Sequence, residues 1–127
     1  MHVFGKLHGR PSVGSTTGHS TRLLYVSDKR TGQRFLIDTG AEVSVLPATP
    51  AQRRSNYTGP VLVAANGSSI RTFGKRSISL TFNARCFQWA FVVADVTQPL
   101  LGADFLRAFS LLVDIQGQRL VDVTDLT

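Results

Sequence analysis

An all-β domain with a closed, barrel-like sheet and one short helix is what this sequence predicts, on three observations. Short apolar runs recur at roughly 8–12-residue spacing, the rhythm of a strand-rich fold. Turn-forming residues stand at the breaks: Asp28-Lys29-Arg30-Thr31-Gly32, Asn66-Gly67 and Gln116-Gly117. Only residues 103–109 place apolar residues at helical spacing, with Leu106 and Phe109 three apart on one face.

Taken in order, residues 8–21 are rich in Gly, Ser and Thr and offer little to bury. Residues 1–20 therefore read as a flexible linker and residues 21–127 as the folded domain. Leu23-Leu24-Tyr25-Val26 is a strand candidate, and Arg34-Phe35-Leu36-Ile37 returns beside it after a turn in which Gly32 is free to take positive φ. Residues 22–38 thus read as a hairpin. Pro47 discourages continuation of the next apolar run, 43–46, and the polar stretch 51–59 reads as a loop. Val61-Leu62-Val63 and Ile70-Arg71-Thr72-Phe73 flank Asn66-Gly67, a strong hairpin signal because both turn residues accept positive φ. Residues 78–82 alternate as Ile-Ser-Leu-Thr-Phe, and 87–94 form a continuous strand-like run. Residues 99–102 are a short buried segment ahead of the helix. Residues 111–115 and 120–123 make a closing hairpin.

The 127 residues suffice for one domain with a modest core, and 43% apolar with 17% charged residues is a globular composition. No stretch approaches the ~18–20 apolar residues of a membrane span, and the N-terminus lacks an apolar signal-peptide core. One cysteine, Cys86, permits no intrachain disulfide and no cysteine-based zinc site. It reads as an ordinary strand residue. An intracellular location is the expectation. The net charge is +6, but lysines and arginines are scattered without a long basic run. Solvated loops and strand ends account for them, and nucleic-acid contact is expected to be at most incidental and salt-sensitive. His2, His8 and His19 have no metal-ligand spacing, and no metal or other cofactor is expected.

One segment carries chemistry. Phe35-Leu36-Ile37 delivers a single carboxylate, Asp38, into a Thr39-Gly40-Ala41 turn, and a second apolar run follows at once. Burying a lone carboxylate costs several kcal/mol unless it is paired, hydrogen-bonded or protonated. A sequence that sets an acid between two core strands either compensates it locally or uses it for acid–base chemistry. Ser44 has no base partner nearby in sequence, so a serine-hydrolase reading has little behind it.

The run Phe35-Leu-Ile-Asp-Thr-Gly-Ala-Glu-Val-Ser-Val-Leu-Pro47 resembles the active-site segment of retroviral-type aspartic proteases, the retropepsins. Within them it is most similar to those of gypsy-type LTR retrotransposons or a domesticated derivative. Leu62-Val-Ala-Ala-Asn-Gly-Ser-Ser-Ile-Arg-Thr-Phe-Gly74 resembles their flap, and Pro99-Leu-Leu-Gly-Ala-Asp-Phe-Leu106 the segment that crosses behind the catalytic loop into the helix. The resemblance spans residues 21–123 or so.

It implies a domain that is half of a two-fold dimer and an enzyme in which water is activated between two aspartates. Two carboxylates about 3 Å apart hold one proton between them, one acting as base and the other as acid. This chain has one Asp-Thr-Gly. None of Asp28, Asp95, Asp104, Asp114, Asp122 and Asp125 is followed by Thr-Gly or Ser-Gly. The second carboxylate must then come from a second copy across a two-fold axis. By the resemblance, Asp38 is catalytic, Thr39 bonds across the axis, and Gly40 and Ala41 support the loop. Gly40, Glu42 and the flap residues Ala64, Ala65, Asn66, Gly67 and Ser68 hold the backbone of an extended substrate. Retroviral relatives commonly have an aspartate at the place of Glu42, paired to an arginine. Here Ala103 follows Gly102, so that pair cannot form in the same way, which leaves Arg22 or solvent for Glu42. Asp104 caps the helix or bonds the active-site strand. The expected function is a homodimeric aspartic endopeptidase acting on polyprotein linkers, in the cytoplasm or within retroelement particles. The alternative is a catalytically silent module for dimerisation or peptide binding.

Overall fold

The computed structural model describes residues 2–4, 23–57 and 59–124, and strands dominate them. In chain order these are β1 (His2–Phe4), β2 (Tyr25–Ser27), β3 (Arg34–Ile37), β4 (Val45–Pro47), β5 (Leu62–Ala64), β6 (Ser69–Ile70), β7 (Thr72–Phe82), β8 (Arg85–Ala94), β9 (Leu100–Leu101), β10 (Leu111–Asp114) and β11 (Arg119–Asp122). The helices among the described residues are α1 (Pro50–Arg53) and α2 (Ala103–Ala108), and neither is long and apolar enough to cross a membrane. The mostly-β class read from the sequence is the class observed. The linker expected over residues 1–20 lies outside the described residues except for β1, which pairs in parallel with β5.

Six strands form one sheet in the order β2-β3-β9-β4-β8-β7, beside a β1-β5-β6 sheet and the closing β10-β11 hairpin. The six-stranded sheet curls until its edge strands meet at one point. Lys29 N–H donates to the Thr81 carbonyl at 2.8 Å, and Thr81 N–H donates to Asp28 Oδ1 at 2.9 Å. Asp28 also accepts from Arg30 N–H and the Thr31 hydroxyl. Its burial would raise the carboxyl pKa, but the donors Thr81, Thr31 and Arg30 outweigh that and hold it below the usual carboxylate range. The sheet is curled and its edges are bridged at this contact, but among the described residues no strand ladder joins β2 to β7, so the closed barrel expected from the sequence is not formed.

Alternation along β7 buries Leu80 and Phe82 with Ile78 on the same face, against the inner face of the sheet and α2. Phe82 and Phe87 stack at 4.5 Å, while Trp89 meets Phe105 edge-on at 5.7 Å. Such pairs contribute roughly 0.5–1.5 kcal/mol each beyond area burial. This cluster fixes α2 and the closing hairpin to the sheet.

Several boundaries differ from the sequence expectation, for local reasons. The strand read at 23–26 begins only at Tyr25. The loop read at 51–59 starts with α1: Thr49 Oγ1 accepts from Gln52 N–H, Gln52 Oε1 accepts from Thr49 N–H, and Pro50 occupies the first turn. In the Asn66-Gly67 turn only Gly67 has positive φ, at 86°. Gly67 N–H bonds the Ala64 carbonyl and Ala64 N–H bonds the Ser68 carbonyl, so the connection has three residues with the left-handed glycine last. The runs at 70–73 and 78–82 become β6 and a longer β7, irregular between Thr72 and Lys75, where Gly74 takes φ 95°. Asn83 and Ala84, both at positive φ, make the tight β7–β8 turn.

Candidate active site

The site begins with a topological constraint. β9 lies between β3 and β4, parallel to β3 in the register Leu36↔Leu100 and Ile37↔Leu101, and antiparallel to β4 at Val45↔Leu100. Strands consecutive in sequence are therefore not neighbours, and the loop at 38–44 must pass around the end of β9. It is tied there by backbone bonds. Asp38 N–H donates to the Leu101 carbonyl at 3.0 Å, Ala41 N–H to the Asp38 carbonyl at 3.1 Å, and Ala103 N–H to the Ala41 carbonyl at 2.7 Å. Asp38 is only 3% exposed, and its Oδ1 accepts from Gly40 N–H at 3.0 Å. A carboxylate held by its own turn keeps a fixed aim without a long flexible stem. Thr39 is exposed, Gly40 half-buried and Ala41 wholly buried.

A second set of contacts locks the loop from behind. Ser44 is buried; its hydroxyl donates to Asp104 Oδ1 at 2.7 Å and accepts from Gly102 N–H at 2.8 Å. Ser44 N–H donates to Asp104 Oδ2 at 3.1 Å. The hydroxyl proton and one of its lone pairs are thus engaged in structure, and Ser44 acts as a brace. Of the two roles read for Asp104, the structure displays the bond to the active-site strand. Its Oδ1 also accepts from Phe105 N–H at 2.7 Å, while the helix N-cap position belongs to Gly102. Gly102 is required by space: a Cβ there would lie 2.7 Å from the Ala41 carbonyl oxygen and 2.9 Å from Val43 backbone atoms. The Ser44 brace is the contribution the sequence did not disclose. Its partner stands 60 residues away, beyond any local signal.

The residues read as a flap divide. Ala64 is buried with Leu36, Ala41, Val45, Ile70 and Leu100, so the base of the hairpin and the 38–44 loop share one apolar cluster. Ala65, Asn66, Gly67 and Ser68 are exposed at the tip, where Asn66 Oδ1 accepts from Ser68 N–H and its hydroxyl. Glu42 is exposed and lines a cavity of about 480 Å³ with Val43, Lys75, Val92, Asp104 and Arg107. Arg22, read as a partner for Glu42, lies outside the described residues. No cluster of His, Cys, Asp and Glu suited to a metal occurs among the described residues, and Cys86 is an exposed residue of β8.

No protein-family model matches the chain, and no curated protein sequence does. Solved structures do. The EIAV protease complexed with the inhibitor HBY-793 is 26% identical, with a TM-score of 0.53 over 72% of this chain and 90% of that one. The retroviral protease-like domain of Ddi1 from Leishmania major is 16% identical, with a TM-score of 0.58 over 81% of this chain and 90% of that one. With the β9-inserted loop and flap-like hairpin described above, these likenesses establish that the chain adopts the retropepsin-like, aspartic protease-type fold.

Proposed function

We propose that the chain is an aspartic endopeptidase that works as a homodimer, each copy supplying one Asp38. The observation that carries this reading is the setting of Asp38: a buried carboxylate, aimed by Gly40 N–H, in a turn tied to β9 on a protease-type fold. One such loop per chain gives half a dyad, and a two-fold axis completes it without new sequence. The shared proton lets one carboxylate take a proton from water while the other gives one to the scissile carbonyl. Thr39, exposed at the turn, would bond its counterpart across the axis. Gly40, Glu42 and the tip residues 65–68 would hold the substrate main chain. Exposed apolar residues on and beside the closing hairpin, Leu112, Val123 and the 81%-exposed Ile115, favour self-association there.

The substrate class that fits a flap-and-floor cleft is an extended peptide, bound by main-chain hydrogen bonds. Linkers of a retroelement polyprotein are the natural candidates, with gypsy-type descent and action in the cytoplasm or inside particles. No cofactor enters the reaction. The test is cleavage of a peptide library by the unmutated protein and by Asp38→Asn. The reading requires cleavage that disappears in the variant while its fold and self-association persist. Absence of cleavage in an associated, folded protein would favour a silent binding module, and cleavage retained by Asp38→Asn would exclude the mechanism.

A further inference from the structure

Away from the 38–44 loop, the two edges of the curled sheet meet at Thr81 and then part. The gap is a cavity of about 810 Å³ between the β2–β3 turn and β7. Its floor is apolar, formed by Phe35, Leu46 and Ile78, and its rim carries Arg30, Arg34 and Arg76. None of these three arginines enters an ion pair among the described residues. The one carboxylate in the lining, Asp28, is already occupied by Thr81 N–H, Arg30 N–H and the Thr31 hydroxyl. Arg34 borders the cavity at the start of β3, but its guanidinium lies 4.0 Å above the centre of the Tyr25 ring, on the face of the β2–β3 pair away from Phe35.

The backbone of the same wall is open. β7 pairs with β8 on one side, and among the described residues no strand pairs with its other side. Thr81 turns its N–H and C=O to that outer side, where Asp28 and Lys29 take them. The period of two in an antiparallel ladder then points the N–H and C=O of Ser79 and Ser77 the same way. Arg76 and Ile78 alternate with them and face the cavity.

We infer that this cavity docks an extended acidic peptide, which adds as a strand to the outer edge of β7 at Ser77 and Ser79. Its main chain would take the open backbone groups, its carboxylates the Arg30 and Arg76 guanidiniums, and an apolar side chain the Phe35–Leu46–Ile78 floor. Arginine forks match carboxylates two bonds at a time, and strand addition to a free edge is an established way to bind extended chains. An apolar floor between the cations suits such a peptide better than a run of phosphates, which needs charge along a continuous track. The inference stands apart from the proposed catalytic role, because it concerns other residues and is read by binding.

The experiment is fluorescence anisotropy with a labelled peptide of Glu-Ser-Val-Ser repeats (the Glu–Val peptide), which sets Glu and Val in turn on one face of a strand, with a counterpart carrying Lys for Glu (the Lys–Val peptide), and with a single-stranded RNA oligonucleotide. Amide exchange is followed residue by residue. The Glu–Val peptide should bind, and added salt should weaken it. Arg76→Glu, at an exposed position, should lower affinity about tenfold or more without altering the melting temperature. Arg107→Glu, on the other cavity, should leave affinity within about twofold. Ser77→Pro should weaken binding with no change of charge, since it removes an outward N–H at a position where an edge strand tolerates proline. Exchange at Ser77 and Ser79 should slow on binding, while Ile78, already in the β8 ladder, should not change. No binding of the Glu–Val peptide, equal binding of the Lys–Val peptide, or indifference to Arg76→Glu would overturn the proposal. RNA binding that depends on Arg76 in place of peptide binding would overturn it as well.

Discussion

The loop at 38–44 and the hairpin tip at 65–69 differ in what holds them, and their glycines display the difference. Gly102, behind the first loop, has ordinary extended backbone, φ −97° and ψ −173°, but no room for a Cβ. Gly67, in the second, has open space around it and a φ of 86° that side chains disfavour. One is constrained by neighbours from distant sequence, the other only by its own turn. The loop that carries Asp38 is bonded to β9, Gly102 and Asp104, whereas the described tip is held by the Ala64–Ser68 backbone bonds and the Asn66 side chain. In the proposed protease, a fixed acid and a lightly held flap would suit a site that must place a proton accurately and yet admit a chain.

That contrast orders the effects of substitution. Gly102→Ala should do the most harm, because backbone and not a flexible side chain must move; a loss of about 2–3 kcal/mol is expected by urea denaturation, with hydrolysis lost through displacement of Asp38. Asp104→Ala removes the acceptor for Ser44 N–H, the Ser44 hydroxyl and Phe105 N–H, and should cost about 2 kcal/mol. Asp104→Asn should recover part of this. Gly67→Ala should cost only about 1 kcal/mol, from φ alone, and should change KM for peptide more than the melting temperature. If Gly67→Ala proved more destabilising than Gly102→Ala, the contrast would be reversed. The smallest effect is a matter of pH. The Asp28 carboxyl is held below its ordinary value, so its contribution is complete above the unfolded-chain value of roughly 4 and is lost as pH falls through the lower folded value. Urea midpoints measured from pH 6 to pH 2 should fall less for Asp28→Asn than for the unmutated chain.

Much of the first loop was legible in the sequence because its signals are contiguous: an apolar strand, Asp-Thr-Gly, then a second apolar run. The hairpin around Asn66 was legible for the same reason, although the turn chosen uses one left-handed residue where two were expected. The braces were not legible, since Ser44 meets Asp104 across 60 residues and only the insertion of β9 brings them together. Helix α1 was obscured by two prolines that invite a loop reading, although Thr49 and Gln52 already spelled a capping box. The Asn83-Ala84 turn lacked the glycine that usually announces such a turn. The arginine-rimmed cavity arises where two sheet edges fail to meet, which no local pattern encodes.

The central claim is that one active site takes an Asp38 from each of two chains, and mixing tests it most directly. Asp38→Asn chains are added in increasing proportion to a constant amount of unmutated protein under conditions of subunit exchange, and peptide hydrolysis is followed. If each site draws on both chains, the added variant captures unmutated partners in inactive pairs, and activity falls progressively below that of the unmutated protein alone. Activity that stays constant at every ratio, with exchange verified by mixed pairs of labelled chains, would place a complete catalytic site within one chain and contradict the account.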